Sequence, residues 1–135
     1  MDKLRVLIAE DHEQLRATIV DLLDAEFTVV GAVGDGQQLV EATPVLNPSL
    51  IVSDIDMPLM DGFSAMRALR AKSIQTPFVF ITLMSLDGIS SGVEDHPVGF
   101  VHKADLAIEL KSALHAVAVG VSYLSRSFRQ NHENH

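Results

Sequence analysis

An α/β sandwich, a doubly wound parallel sheet with helices on both faces, is the fold this sequence predicts, and three observations lead to it. Apolar blocks alternate five times with amphipathic stretches along the 135 residues. Most of the blocks are rich in Val and Ile and lack the polar alternation of a half-solvated strand, so they read as strands covered on both faces. Repeated β-α units with short connections take right-handed crossovers, which distributes the helices over two layers.

Each element follows in order. The strand-like blocks are Leu4–Ala9, Phe27–Val33, Leu50–Ser53, Phe78–Leu83 and Gly99–Val101. Between the first two, Leu15, Ile19, Leu22 and Leu23 share one helical face, with Asp21 and Asp24 off it. Pro44 is expected to shorten or kink the second helix, because a ring without an N–H interrupts the ladder. Asp61-Gly62 and Asp105 are expected starts of the third and fifth helices, since a short acidic side chain accepts the first free N–H groups. The segment Leu86–Pro97 holds Gly88, Gly92 and several serines without a strong apolar stripe, which predicts a short, mobile fourth helical segment. Leu106, Leu110, Leu114, Val117 and Val121 recur every three or four residues and give the clearest helical period in the chain. One domain over residues 1–121 is expected, followed from 122 by a linker or tail, partly disordered, whose polar residues 126–135 fray.

Ten basic against eighteen acidic residues leave a net charge of −8. Phosphate backbones and anionic lipid repel such a chain, so direct nucleic-acid and membrane binding are not expected. The absence of cysteine removes disulfides and thiolate metal sites and suits a reducing cytoplasm. No apolar run approaches the roughly 20 residues of a membrane span, and no secretory leader is expected.

Ligands of open α/β sheets bind beyond the carboxyl ends of the strands. Glu10 and Asp11 follow the first strand, and Asp54-Ile55-Asp56-Met57-Pro58 ends the third. Thr82 ends the fourth, and the fifth runs into Lys103. Carboxylates, a hydroxyl and an ammonium are thus expected along one edge.

These residues carry a resemblance. From Leu4 to about Val121 the chain resembles the receiver domain of bacterial two-component response regulators, the CheY-like, flavodoxin-like fold. The markers are Glu10-Asp11, Asp54-Ile55-Asp56-Met57-Pro58-Leu59-Met60-Asp61-Gly62, Thr82 and Gly99-Phe100-Val101-His102-Lys103. The resemblance implies five parallel strands in the order 2-1-3-4-5. It also implies that Asp54 accepts a phosphoryl group from a sensor histidine kinase, with Mg²⁺ (or Mn²⁺) held by Glu10, Asp11, Asp54 and the backbone carbonyl of Asp56. Glu10 would act through water. Lys103 and Thr82 would meet the phosphoryl oxygens, and Thr82 with Phe100 would form the switch. A homodimer through the face of the fourth helix, fifth strand and fifth helix is then possible. The chain would be no enzyme beyond its own Mg²⁺-dependent phosphorylation and dephosphorylation. Clustered carboxylates make physical sense of the cation, because each raises its neighbours' affinity for positive charge.

The ending Gly120-Val121-Ser122-Tyr123-Leu124-Ser125 resembles the linker of receivers whose output is a LuxR-type helix-turn-helix, as in the NarL group. Transcriptional control through a DNA-binding domain outside this chain is therefore expected; a stand-alone receiver working in a phosphorelay or by protein docking is the alternative. Leu83 and Ala104 stand where the family has a small residue and a proline, and Phe100 lacks the hydroxyl of the usual tyrosine. Asp56 adds charge beside the site. An Asp-x-Asp motif also opens haloacid-dehalogenase-type phosphatases, but there it ends the first strand, not the third.

Overall fold

The computed structural model describes residues 3–86 and 97–133. Its elements run β1 (Arg5–Ala9), α1 (Glu13–Leu23), β2 (Thr28–Val33), α2 (Gly36–Leu46), β3 (Leu50–Asp54), α3 (Gly62–Ala71), β4 (Phe78–Thr82) and β5 (Val98–His102). A 3-10 turn over Lys103–Asp105 leads into α4 (Leu106–Ala118), then β6 (Tyr123–Leu124) and α5 (Arg126–Glu133). The sheet is parallel throughout, in the order β2-β1-β3-β4-β5-β6. The fold class and the order of the first five strands are as expected; the sixth strand is not.

The two-faced burial read from the sequence holds for β3 and β4, in which every residue is buried. Successive residues feed opposite layers. Val6 and Ile8 pack with α1 and α4 residues such as Ile19, Leu23, Leu110 and Leu114. Leu7 and Ala9 pack with Leu39, Ala65, Met66 and Leu69 from α2 and α3.

Several local expectations are corrected. The helix α2 passes Pro44 and ends two residues later at Leu46, followed by left-handed Asn47 (φ 48°). A proline so near the end forfeits a single backbone bond, which the last turn tolerates. Asp61 caps α3 as expected, accepting from Ser64 N–H at 2.7 Å. Asp105 stands at the start of α4 as expected, but its side chain makes no capping bond there. Its carboxylate turns instead to Ser125 and Ser127, accepting from both hydroxyls and from Ser127 N–H at 2.6–3.0 Å. The α4 helix stops at Ala118, and Val121 is exposed beyond left-handed Gly120 (φ 85°). The expected fourth helical segment falls almost wholly on residues 87–96, outside those described.

The largest difference is at the end. Residues expected to form a linker or tail from 122 add a strand to the sheet edge and a helix against it. Gly99 pairs with Tyr123 and Phe100 with Leu124. Phe128 is buried beside Phe100 and Val98. Glu109, buried on α4, accepts from Tyr123 Oη at 2.7 Å and Arg126 N–H at 2.8 Å. A two-residue strand carries no period, so the sequence pattern was blind to it. No helix among the described residues is long and apolar enough to cross a membrane.

Candidate functional site

The β1–β3 register sets Ala9 beside Ser53, so residues 10 and 54 leave the sheet side by side. Next to β3, Thr82 of β4 stands opposite His102 of β5, one residue before Lys103. The acids, hydroxyl and ammonium expected at one edge therefore all lie at the carboxyl ends of neighbouring strands. Glu10, Asp54 and Thr82 are buried, Asp11 and Asp56 are exposed, and Lys103 is half-buried.

Lys103 joins two of the acids. Its Nζ lies 2.9 Å from Asp54 Oδ2 and 3.1 Å from Glu10 Oε1. The other Asp54 oxygen accepts from Asp56 N–H at 3.1 Å. Glu10 Oε2 accepts from His12 N–H at 3.0 Å, while Oε1 faces the Lys103 ammonium off the line of a good hydrogen bond. Burial pushes the Asp54 carboxyl up to about 6; the Lys103 hydrogen bond opposes the rise and the Glu10 charge adds to it. Burial opposes the charge on Lys103, but its bond to Asp54 and its ion pair with Glu10 win and hold the ammonium above its usual value. Two buried carboxylates thus share one half-buried cation, which leaves the pocket short of positive charge.

Glu10, Asp11 and His12 bring one oxygen or nitrogen each to within 4.8 Å of one another. The imidazole is exposed at 74%, with Nδ1 3.4 Å from Glu10 Oε2 and 3.5 Å from Asp11 Oδ1. The fit to a hard divalent cation rests on the oxygens: a buried Glu10 oxygen without a hydrogen bond, and a carboxylate excess.

The loop from β3 to α3 is held by close packing. A Cβ on Gly36, the first residue of α2, would sit 2.0 Å from the Met60 carbonyl oxygen. One on Gly62 would sit 2.4 Å from the Asp54 carbonyl oxygen. Ile55 N–H donates to Ile81 O at 3.1 Å, and Leu59 adopts a left-handed φ of 69°. Only glycine lets these backbones approach so closely, and the loop that carries Asp56 is fixed by that contact.

Thr82 Oγ1 accepts from Met84 N–H at 3.0 Å, and its own proton has no acceptor among the described residues. Phe100 is buried, stacked on Phe80 with centroids 5.7 Å apart. Leu83 is exposed at 70%, and Ala104 is exposed in the turn after Lys103. His102 lies at the centre of a hydrogen-bond cluster that no short motif marks. The Asp105–Ser125 and Glu109–Tyr123 pairs were missed too, because their partners are 20 and 14 residues apart.

The fold and the sequence both have counterparts among known proteins. The nitrate/nitrite response regulator NarL of Escherichia coli is 30% identical over 125 residues, covering 90% of this chain and 58% of NarL. A protein-glutamate methylesterase/protein-glutamine glutaminase of Clostridium acetobutylicum is 29% identical over 115 residues, covering 82% of the chain and 33% of that protein. The chain thus spans from about a third to under two thirds of the length of these relatives. Among solved structures, the RcsB response regulator of Salmonella typhimurium superimposes with a TM-score of 0.84 at 25% identity, covering 98% of this chain and 67% of that one. The isolated RcsB receiver of Salmonella enterica serovar Typhimurium, solved in the presence of phosphomimetic BeF3⁻, gives 0.81 at 24% identity, covering 96% and 98%. The family model for the response regulator receiver domain matches residues 6–115, and the chain belongs to that family.

Proposed function

We propose that Asp54 is the phosphoacceptor of this receiver and that it takes its phosphoryl group from the phosphohistidine of a sensor histidine kinase. The observation that carries the reading is the Lys103 ammonium shared between buried Asp54 and buried Glu10, at 2.9 and 3.1 Å. An Asp54 oxygen forms the new P–O bond as the P–N bond breaks, and the electron pair departs on the donor imidazole. Little bond chemistry falls to the protein in such a transfer; positioning and charge neutralisation dominate.

Lys103 stays beside Asp54 as charge builds on the phosphoryl oxygens, and the Thr82 proton donates to one of them. Glu10, Asp11, Asp54 and the Asp56 carbonyl are the groups to hold Mg²⁺ or Mn²⁺, with Glu10 acting through water. Bound there, the cation neutralises carboxylate and phosphate charge. The excess of acids over the single lysine supports that assignment.

The added charge of about −2 then biases a two-state element, which we assign to Thr82 and Phe100. Phe100 has no hydroxyl, so its part is packing against Phe80 and the end of the chain. Likeness to NarL and the run Gly120–Ser125 support a transcriptional output and a cytoplasmic location. The chain then has no activity beyond turnover of its own phosphoryl group. Homodimerisation through the β5–α4 side is the accompanying proposal; there the β5 edge is already paired with β6.

Incubation with Mg²⁺ and acetyl phosphate, and separately with a phosphorylated kinase domain, tests the reading by intact mass. One phosphoryl group is expected on the wild type and none on Asp54→Ala. Uptake by the Asp54→Ala variant, or none by the wild type from either donor, overturns it.

A further inference from the structure

We propose that His102 is a positioning residue for phosphoryl transfer: its ring ties the loop after Thr82 to the turn that aims Lys103. The inference rests on the reading of Asp54 as the acceptor.

The hydrogen bonds determine the state of the ring. Ala104 N–H donates to His102 Nδ1 at 3.0 Å, so that nitrogen carries no proton. The proton sits on Nε2, which donates to the Leu83 carbonyl at 3.2 Å. One imidazole therefore holds the residue after Thr82 and the residue after Lys103 at once. Both proposed phosphoryl contacts from the protein side, the Thr82 hydroxyl and the Lys103 ammonium, leave the sheet at these two points.

Both points lie at the surface. Leu83, Met84 and Ala104 are exposed, and Leu83 lies beyond the last β4–β5 pair, Thr82 with His102. A transfer that depends on positioning loses rate when such groups wander, even where binding is unchanged.

The same residue faces the end of the chain. His102 N–H donates to Ser125 Oγ at 2.9 Å, and the ring meets the Phe128 edge with centroids 5.6 Å apart at 63°. Ser125 in turn donates to Asp105 at 2.6 Å, and its N–H binds the Phe100 carbonyl at 2.9 Å. His102 thereby joins the site to the β6–α5 segment through direct contacts.

Two conservative variants separate the two ring bonds. His102→Asn retains an acceptor for Ala104 N–H and loses the donor to Leu83. His102→Gln places its amide donor further out, toward the Leu83 carbonyl. At saturating acetyl phosphate, His102→Asn is expected to be phosphorylated roughly three- to tenfold more slowly, the scale of one lost hydrogen bond. Its Mg²⁺ affinity, read by calorimetry, is expected to stay within about twofold of wild type, since no proposed ligand is touched. His102→Gln is expected to recover at least half of the lost rate. Equal rates for wild type and His102→Asn, or a Mg²⁺ affinity that falls in step with the rate, overturn the proposal. So does a ¹⁵N spectrum showing the His102 proton on Nδ1. That spectrum needs no phosphorylation, so it decides the ring geometry even if Asp54 proves not to be the acceptor.

Discussion

Lys103 Nζ stands 2.9 Å from Asp54 Oδ2, although 49 residues separate the two in sequence. The contact spans the carboxyl ends of β3 and β5, with β4 between them. Glu10 from a third strand approaches the same ammonium at 3.1 Å. The electrostatics of the site follow from this triangle: removing either charge type has opposite consequences.

Replacing Lys103 with Met strips the only cation beside two buried carboxylates among the described residues. The folded protein is expected to lose about 3–5 kcal/mol, the scale of breaking a buried ion pair from one side. Asp54→Asn removes one of two competing acids instead. The metal-free variant is expected to be as stable as wild type, or more stable by on the order of 1 kcal/mol. Urea denaturation at pH 7 checks both signs.

The Asp54 carboxyl is raised from 3.8 to about 6 in the folded chain. The fold therefore favours the protonated form, and metal-free stability declines as pH rises through the window from 3.8 to about 6. A cation bound by Asp54 must displace that proton. Mg²⁺ or Mn²⁺ affinity is expected to fall at least severalfold between pH 7.5 and 5.5, with proton release on binding at the lower pH. Calorimetry in two buffers of different ionisation enthalpy measures both.

Asp105 shows the opposite shift. Burial raises its carboxyl, but the Ser125 hydroxyl and the two Ser127 donors outweigh burial and hold it below 3.8. Its contribution to stability is present above that unfolded value and is lost as pH falls below it. Asp105→Ala leaves the buried Ser125 hydroxyl without its acceptor and is expected to cost about 1–3 kcal/mol at neutral pH. Thermal melts at pH 7 and pH 3 check it: the gap between variant and wild type narrows at the lower pH.

Phe128 lies in a run that reads as polar, yet its side chain is buried against the β5 end of the sheet. Phe128→Ala is expected to destabilise the domain by about 3 kcal/mol, as for a core aromatic. A chain cut after Val121 is expected to lose more, because it also removes β6 and the partners of Asp105 and Glu109. Urea midpoints of the two variants rank the effects.

Gly36→Ala forces a Cβ to within 2.0 Å of the Met60 carbonyl, so the loop carrying Asp56 must move. A cost of about 1–3 kcal/mol is expected. Cation affinity is expected to weaken more than in an exposed control such as Ala17→Ser, measured by calorimetry on both proteins.

Much of this site was legible before any coordinates. Glu10, Asp11, Asp54, Thr82 and Lys103 each end or follow an apolar block, and strand ends of an open sheet converge on one edge. Alternate burial of Val6 and Ile8 against Leu7 and Ala9 was implicit in the unbroken apolar runs. Asp105 stands at a helix start as expected, but its side chain makes no capping bond there, for a physical reason. The sequence shows a short acid before a helix, but a serine hydroxyl twenty positions later competes for the same oxygens, and only the folded chain brings it near.

Local pattern, then, determined what kind of sheet forms and which residues end its strands, because burial on two faces dictates composition residue by residue. Tertiary structure alone decided the rest. Lys103 bridging two acids, His102 facing Leu83 and Ala104, and Tyr123–Leu124 extending the sheet each depend on contacts that no periodicity encodes. Two residues are too few to show a strand's period, and a hydrogen bond across the fold leaves no trace in spacing. These contacts exist because buried polar groups must find partners wherever the closed chain supplies them.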